Sequence, residues 1–316
     1  LTLSEAPERW NAGVSNWRKR HAGKVTTIED ALAPTPETEW LIYQTLAAIW
    51  PPTLHLDDRN ALAAVQDELT KFITRAVREA RKEAFWTDVN KPYELAIADY
   101  IGGLFLDRTF LNRFTDHMRP YWVSAANSSF SQTVLKMTTP GIPVVHIGSE
   151  TWDLSLSYAP SPEELDLETL SARLDYADRC PLNRLLSDWH SGAIKQHLVV
   201  RHLRLRNRFP ALFLKGSYVP LKVTGRMAGH VIAFLRQYGS SVCLVAVPRL
   251  PFAAVAKFQE PFMPIPAWKD TTIQLPPELS GATFENILTG ATHVAGAELR
   301  VAQAMRNFST VTLIAS

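Results

Sequence analysis

Apolar residues recur every three or four positions over much of the first 137 residues, which is the spacing of one face of an α-helix. After Asp58, such a face begins at Leu62 and Val65, and basic and acidic residues occupy the opposite, solvated side. The run over residues 39–50 is strongly apolar and stops at Pro51, which cannot continue a helix. The pattern predicts a short amphipathic segment over residues 4–17, helices over 39–50, 93–110 and 122–137, a long helix after Asp58, and a proline-bearing loop over 25–36.

The pattern changes after Pro140 and Gly141. Residues 142–147 form a short apolar, β-branched run that ends at Gly148, and such a run is typical of a fully buried strand, with His146 as a core histidine. A buried strand needs neighbours to satisfy its backbone N–H and C=O groups. The rest of the chain offers no obvious parallel partner, so we expect those partners in polypeptide that precedes this chain, which begins without methionine.

From Tyr218 onward the apolar runs are short and rich in β-branched residues, with turn residues such as Gly239 and Gly290 between some of them. Short strands at this spacing indicate an antiparallel β-sandwich. A helix is predicted before them, over residues 191–208. The predicted strands span residues 231–234, 242–247, 271–275 and 310–314.

Composition narrows the functional classes. Hydrophobic residues at 46% and charged residues at 20% describe an ordered globular protein, and 316 residues suggest more than one compact unit. A net charge of +2 gives no electrostatic attraction to nucleic acid or to an anionic membrane. No leader and no membrane-spanning run is visible, so we expect a soluble, cytoplasmic protein. Cys180 and Cys243 are too few and too far apart for a disulfide framework or a zinc site.

Two other clusters have simple explanations. His197 and His202 are five positions apart on a predicted helix, which puts them on different faces and argues against a metal pair. Four arginines follow on the same helix and are interpreted as a solvated face, because the overall charge is too near neutral for a nucleic-acid surface. These arginines are Arg201, Arg204, Arg206 and Arg208.

The run Thr-Thr-Pro-Gly-Ile-Pro-Val-Val-His-Ile-Gly-Ser-Glu at residues 138–150 resembles the eighth strand of α-amylase-type barrels, whose pattern is Pro-Gly-x-Pro, two apolar residues, an aromatic residue, then Gly-x-Glu. Its flanks, residues 127–136 and 150–156, resemble the same regions of maltooligosyltrehalose synthases. Further matches occur in the order found in that family, so the resemblance covers nearly the whole chain. They lie at residues 40–51, 78–81, 86–94, 218–221, 230–234 and 247–249.

The resemblance implies an α+β chain in which residues 1–137 form a helical region, 138–215 the last strand and helix of a (β/α)₈ TIM barrel, and 216–316 a C-terminal antiparallel β-sandwich. It also implies an isomerase of trehalose biosynthesis. Such enzymes convert the reducing-end α-1,4 bond of a maltooligosaccharide into an α,α-1,1 bond, and they need no metal, nucleotide or redox cofactor.

A retaining mechanism on a sugar requires a nucleophilic carboxylate and an acid/base carboxylate. In this family the catalytic carboxylates lie on barrel strands four, five and seven, and residues 3–10 resemble the helix that follows the seventh. No catalytic residue is therefore assigned to this chain. Its expected partners are the maltooligosaccharide and the missing N-terminal barrel portion, and we expect this chain to be inactive without that portion.

Six residues are predicted to bind substrate. Trp86, Asn90, Tyr93 and Glu94 match a family motif that lines the sugar channel, where aromatic faces stack on sugar rings and amides and carboxylates bind hydroxyls. The alternative is a helix start with Trp86 packed and Asn90 as its cap. Lys136 and Glu150 match positions near the mouth of the last strand, and a structural salt bridge between them is the alternative.

The chain also departs from the family pattern. Val144, His146 and Ile147 replace an acid, a tyrosine and a glutamine, Asp88-Val89 replaces Asn-Pro, and residues 157–162 lack an Asp-Pro-Asp-Asn-Arg-Arg-Pro segment. These changes leave open a diverged, non-catalytic α-glucan-binding or scaffold protein. An unrelated helical protein with an attached β domain would instead pair residues 142–147 within this chain.

Overall fold

The computed structural model describes residues 2–146, 148–156 and 167–315. Long helices dominate the first half of the chain and short strands dominate the second, as the apolar pattern predicts. The helices are α1 (Thr2–Glu5), α2 (Pro7–His21), α3 (Pro36–Ile49), α4 (Arg59–Ala80), α5 (Lys91–Phe105), α6 (Arg108–Thr138), α7 (Leu167–Arg179), α8 (Leu182–Ser187), α9 (Ala193–Arg208), α10 (Pro210–Lys215), α11 (Phe252–Val255) and α12 (Val301–Ala304). The strands are β1 (Thr26–Ile28), β2 (Ala31–Ala33), β3 (Ser217–Pro220), β4 (Val223–Thr224), β5 (Val231–Tyr238), β6 (Ser241–Pro248), β7 (Thr272–Gln274), β8 (Thr283–Asn286), β9 (Thr292–Val294), β10 (Glu298–Arg300) and β11 (Val311–Ala315).

The chain divides into two compact units. Among the described residues, the helical unit comprises residues 6–119 and 154–156, and the sheet unit comprises residues 2–5, 120–146, 148–153 and 167–315. The three-part division into residues 1–137, 138–215 and 216–316 stays a prediction.

Local signals explain where the predicted helices begin. Thr35, Asp58 and Asn90 each accept a backbone N–H of the following helix, and they do so from Thr38, Ala61 and Tyr93. Proline follows Thr35 directly, at a position where a helix needs no N–H donor. The helices predicted near residues 39–50, after Asp58 and over 191–208 are confirmed with shifted ends. The helix predicted over 93–110 is wrong in part, because α5 ends at Phe105 and α6 begins at Arg108, and the helix predicted over 122–137 is the second half of α6.

The loop predicted over residues 25–36 is wrong in part, because β1 and β2 form a short antiparallel hairpin there. Its turn residues Glu29 and Asp30 have φ angles of 49° and 72°. Hairpin turns of this left-handed kind usually carry Asn-Gly or Asp-Gly. Glu-Asp is an uncommon pair for such a turn, so residues 29 and 30 carry no recognisable hairpin signal.

Aromatic side chains form the centre of the helical unit. The ring centroid of Trp17 lies 5.4 Å from that of Tyr43 and 5.2 Å from that of Phe114. Trp50 packs against Phe114 at 5.4 Å. These residues come from α2, from α3 and the residue that follows it, and from α6, and all four are buried.

The sheet unit contains two antiparallel sheets, which confirms the predicted antiparallel pairing. One has six strands in the order β3-β5-β6-β11-β8-β9, and the other has three in the order β10-β7-β4. Alternate residues of β5 and β6 enter two different apolar clusters, as the two-residue period of a strand requires. One cluster holds Leu235 and Leu244 together with Ile273 of the smaller sheet, and the other holds Phe234 and Val245 together with α10. The sandwich geometry stays a prediction.

The buried strand predicted at residues 142–147 is wrong for this chain. Residues 142–146 form no strand, and Ile142 and Val144 are 81% and 64% exposed. His146 is exposed as well and is not a core histidine. The physical reason is that no described strand pairs with these residues, which also counts against the unrelated fold that would pair them within the chain. Ile147 and the departure at residues 157–162 lie outside the described residues.

The two cysteines are free thiols, and burial of Cys243 in β6 raises the pKa of that thiol to about 12. Of the helices in the described part of the chain, none combines the length and the apolar character that crossing a membrane would require.

Candidate functional site

Three of the predicted substrate-binding residues meet at the start of α5, in the helical unit. Arg78 of α4 donates two hydrogen bonds to Glu94, from Nε to Oε1 and from Nη2 to Oε2, each 2.7 Å long. The same guanidinium lies 5.1 Å from the centroid of the Trp86 ring. Asn90 caps the helix one turn before, accepting the N–H of Tyr93 at 3.1 Å. One arginine therefore joins the predicted tryptophan and glutamate.

The exposure of Trp86 decides between the two interpretations of this motif. Trp86 is 52% exposed, so the alternative of a packed indole is wrong, while the capping role of Asn90 is confirmed. Both carboxylate oxygens of Glu94 are engaged by Arg78, which fixes that guanidinium beside the ring. The arrangement holds a cation over a half-exposed indole ring, which suits contact of the indole with a sugar ring and hydrogen bonding of the cation to its hydroxyls.

Tyr93, the fourth residue of the motif, is fully buried and lines a cleft of about 250 Å³ in the helical unit. Burial raises the pKa of its phenol, so Tyr93 is neutral at physiological pH. The other lining residues are hydroxyl-bearing, charged or small and apolar. They are Thr35, Glu37, Thr38, Leu41, Ala76, Val77, Ala80, Lys82 and Glu83.

Lys136 and Glu150 lie in the sheet unit. Lys136 is exposed in the last turn of α6, and Glu150 is half-buried in the turn that follows residues 142–146. Within the described part of the chain, no ion pair shorter than 4.0 Å joins them, and the Glu150 side chain makes no hydrogen bond there. The salt-bridge alternative is therefore wrong. A half-buried carboxylate without a protein donor is suited to accept hydrogen bonds from a ligand.

Lys195 of α9 is a member of this group that the sequence did not indicate. Its Nζ donates to the carbonyl of Thr151 at 2.8 Å and lies 5.5 Å from the ring centroid of Trp152. Burial and then repulsion by Lys136 lower the pKa of the Lys195 ammonium, and Glu150 and Asp153 oppose that shift. A lysine on the solvated side of a helix pattern carries no sequence signal for such a role. Two cations and a carboxylate therefore share one region of the sheet unit.

Both helix α9 histidines are structural, and within the described residues no group of three or more His, Cys, Asp or Glu side chains could hold a metal. His197 contacts the Ala177 carbonyl at 2.7 Å. His202 is fully buried, with Nδ1 2.7 Å from the Leu198 carbonyl and Nε2 2.9 Å from the Thr312 hydroxyl. Burial favours the neutral ring. Because a carbonyl only accepts, the proton of this neutral ring lies on Nδ1, and Nε2 accepts from Thr312.

Stability of the sheet unit should fall as pH drops from 6.5 to 4. Burial lowers the pKa of His202 from 6.5 to about 4, so the unfolded state takes up a proton first as the pH falls. The contribution of neutral His202 to the free energy of unfolding is about 3 kcal/mol above pH 6.5, and it is lost by about pH 4. Urea titrations at several pH values should show a shallower dependence for His202→Gln. His55→Gln, at an exposed histidine, should keep the full slope, and equal slopes for both variants would contradict the assignment.

The arginines of α9 divide into two groups. Arg204 and Arg208 are exposed, as predicted, and Arg204 pairs with Asp178 through two bonds of 2.5 and 2.8 Å. Arg201 and Arg206 are half-buried, so the solvated-face interpretation is wrong for both, and Arg206 donates to two backbone carbonyls.

Comparison with known proteins gives a consistent relationship, although no family model matches the chain. A curated protein of Mycobacterium tuberculosis named as a maltooligosyl trehalose synthase is 28% identical over 264 residues. The match covers 83% of this chain and 30% of that protein. The chain therefore spans less than a third of the length of this relative.

Solved structures agree. The maltooligosyltrehalose synthase of Arthrobacter ramosus is 25% identical with a TM-score of 0.71, and the match covers 100% of this chain and 36% of that one. A Sulfolobus tokodaii protein described as a hypothetical maltooligosyl trehalose synthase shares the fold, with 18% identity, a TM-score of 0.63, and coverage of 99% and 36%. The resemblance stated from the motifs is confirmed, and the chain corresponds to a C-terminal portion of these longer proteins.

Proposed function

We propose that this chain is the C-terminal part of an intramolecular transglycosylase that converts the reducing-end α-1,4 bond of a maltooligosaccharide into an α,α-1,1 bond. The product is maltooligosyl trehalose. One observation supports this best: residues 142–145 are apolar, Ile142 and Val144 are exposed, and no described strand pairs with them, as expected of a barrel strand whose neighbours lie in polypeptide outside this chain. In this proposal the region over residues 138–215 ends the barrel, and residues 216–316 form its terminal β-sandwich.

The chemistry assigns no bond-breaking role to this chain. A carboxylate in the preceding barrel portion displaces the terminal glucose and forms a glycosyl ester, while a second carboxylate protonates the leaving oxygen. The anomeric hydroxyl of the released glucose then attacks the ester, returns its proton to the second carboxylate and forms the 1,1 bond. No water is consumed, so glucose stays joined to the product.

The residues of this chain would bind the sugar between cleavage of the first bond and formation of the second. Trp86 offers an indole face beside the Arg78–Glu94 pair in the helical unit, and Asn90 fixes the helix start that carries them. Glu150 and Lys136 offer an acceptor and a donor in the sheet unit. Tyr93 lines its own cleft in the helical unit but is fully buried, so it would support the wall of that cleft.

The test uses the polypeptide encoded by the complete gene, incubated with maltopentaose. We expect loss of reducing ends without release of glucose. Binding of maltopentaose without loss of reducing ends would favour the diverged α-glucan-binding protein instead. Neither binding nor turnover would contradict both.

Glu150→Gln should raise KM for maltopentaose about 10-fold with a smaller change in kcat. The carboxylate is half-buried and unpaired within the described part of the chain, and a hydrogen bond to a charged group contributes about 1.5–3 kcal/mol. Glu278→Gln, an exposed glutamate of the same unit, is the matched control and should leave KM unchanged. An unaltered KM for Glu150→Gln would remove this residue from the substrate site.

A further inference from the structure

The last turn of α6 ends in backbone carbonyls that no helical N–H can reach. Arg206 spans a carbonyl of this last turn and one three residues beyond the helix, donating from Nη1 to Met137 and from Nη2 to Gly141, each at 2.9 Å. Nη1 of Arg236 donates to the carbonyl of Thr138 at 2.9 Å. Neither arginine forms an ion pair with a carboxylate in the described residues. Both cations therefore serve the end of α6, where the negative end of the helix dipole favours them.

Residues 142–146 directly follow the carbonyls that Arg206 and Arg236 bind, and we call these contacts the first anchor. Ile142, Val144 and His146 are exposed, whereas Pro143 and Val145 are half-buried, so exposure alternates with the two-residue period of a strand. Among the described residues, the backbone groups of residues 142–145 enter no backbone hydrogen bond. The segment carries the pattern of a strand without a partner.

A second anchor holds the chain on the far side of residues 142–146. Lys195 donates to the Thr151 carbonyl, and the Trp152 indole N–H donates to the Trp189 carbonyl at 2.7 Å. Gly192 has a φ of 78°, and a Cβ added there would lie 2.9 Å from Cβ of Thr151 and 3.0 Å from the Trp152 nitrogen. The turn that carries Glu150 is thus packed closely against the start of α9.

We infer that Arg206 and Lys195 are positioning residues that hold residues 142–146 between two anchors, so that the unpaired backbone is preset to receive a strand from polypeptide outside this chain. This inference rests on the proposed function, because the relatives with this fold are about three times longer than the chain. A segment fixed at both ends loses less conformational freedom on pairing than a free one. The anchors also set where Glu150 lies.

The test is a nitroxide spin label on Val144→Cys in a Cys180→Ser background of this chain, since Cys243 is buried and unreactive. The label should be motionally restricted in the parent, and Arg206→Met should shorten its rotational correlation time at least 3-fold. Lys195→Met should shorten it similarly. Arg204→Met is the matched control, because Arg204 lies on the same helix but pairs with Asp178, and it should leave the spectrum unchanged.

Arg206→Lys should recover only part of the restriction, because an ammonium does not reproduce the planar fork that spans two carbonyls. Circular dichroism verifies that each variant is folded. If Arg206→Met does not fold, Lys195→Met tests the inference in its place. A label already mobile in the parent, or equal spectra for Arg206→Met and Arg204→Met, would overturn the inference. The spectra do not depend on catalysis. A restricted label in this chain, together with an inactive full-length protein, would therefore refute the proposed function and leave the inference standing.

Discussion

Replacing Arg236 with methionine is expected to lower the free energy of unfolding of the sheet unit by about 4 kcal/mol, the largest single effect we predict. Arg236 lies in β5 and is only 1% exposed. Its guanidinium donates to the backbone carbonyls of five residues, at distances of 2.9 to 3.3 Å. These are Thr138, Leu212, Phe213, Gly216 and Ser217.

The physical reason is that these carbonyls would lose a donor in a place where water has little access, although that of Leu212 keeps another, the N–H of Gly216. A buried acceptor left without a partner costs about 1–3 kcal/mol, and the methionine side chain replaces only the apolar stem. No carboxylate within the described residues pairs with Arg236, so the removal leaves no unpaired anion and the cost arises at the carbonyls. Arg236→Lys keeps the charge but has fewer donors, and we expect it to recover less than half of the loss.

Urea unfolding of the two variants measures this effect. Arg249→Met, at an exposed arginine just beyond β6, is the control and should change the free energy of unfolding by less than about 0.5 kcal/mol. Because the chain has two units, the sheet unit is best followed separately by hydrogen exchange of the amides in β5 and β6. Equal stability of Arg236→Met and Arg249→Met would contradict the structural role.

The second large effect is expected for Glu39→Ala in the helical unit, with a loss of about 3 kcal/mol. Glu39 lies in α3 and is 4% exposed. One carboxylate oxygen accepts the hydroxyl of Tyr100 at 2.6 Å, and the other accepts Nε of Arg18 at 2.6 Å. The Tyr100 hydroxyl also lies 2.9 Å from that of Tyr43, which extends the network to His21 at 3.3 Å.

Alanine at position 39 removes the acceptor from a buried donor chain. Burial raises the pKa of Tyr43 and Tyr100, so both stay protonated and each needs an acceptor. The Arg18 side chain is 41% exposed, so its guanidinium can be solvated when the carboxylate is removed. The expected loss of stability is therefore at the lower end of the range for breaking a buried ion pair.

Glu37→Ala is the matched control, since Glu37 lies two positions earlier in the same helix and is exposed. We expect a loss of less than about 1 kcal/mol there, from the helix dipole alone. Melting curves followed by near-ultraviolet circular dichroism report the aromatic cluster beside Tyr43. If Glu39→Ala and Glu37→Ala melt together, the buried network contributes nothing to stability.

The sequence by itself determined the elements whose causes are local. Caps such as Thr35 and Asp58 and the apolar period of α4 act within one or two helical turns, so they can be read from neighbouring residues. The same holds for β5 and β6, which are joined by a tight turn. Dispersed motifs added the relationship to maltooligosyltrehalose synthases.

Only the tertiary structure decided which polar side chains act together. Arg78 reaches Glu94 across 16 positions, Lys195 reaches Thr151 across 44, and Arg236 reaches Thr138 across 98. Such pairings depend on how helices and sheets pack, and no periodicity or cap encodes them. Residues 142–146 show a related limit. Their apolar character predicts a buried strand, but a strand is buried only when a partner pairs with it, and the sequence of the segment does not show whether one does.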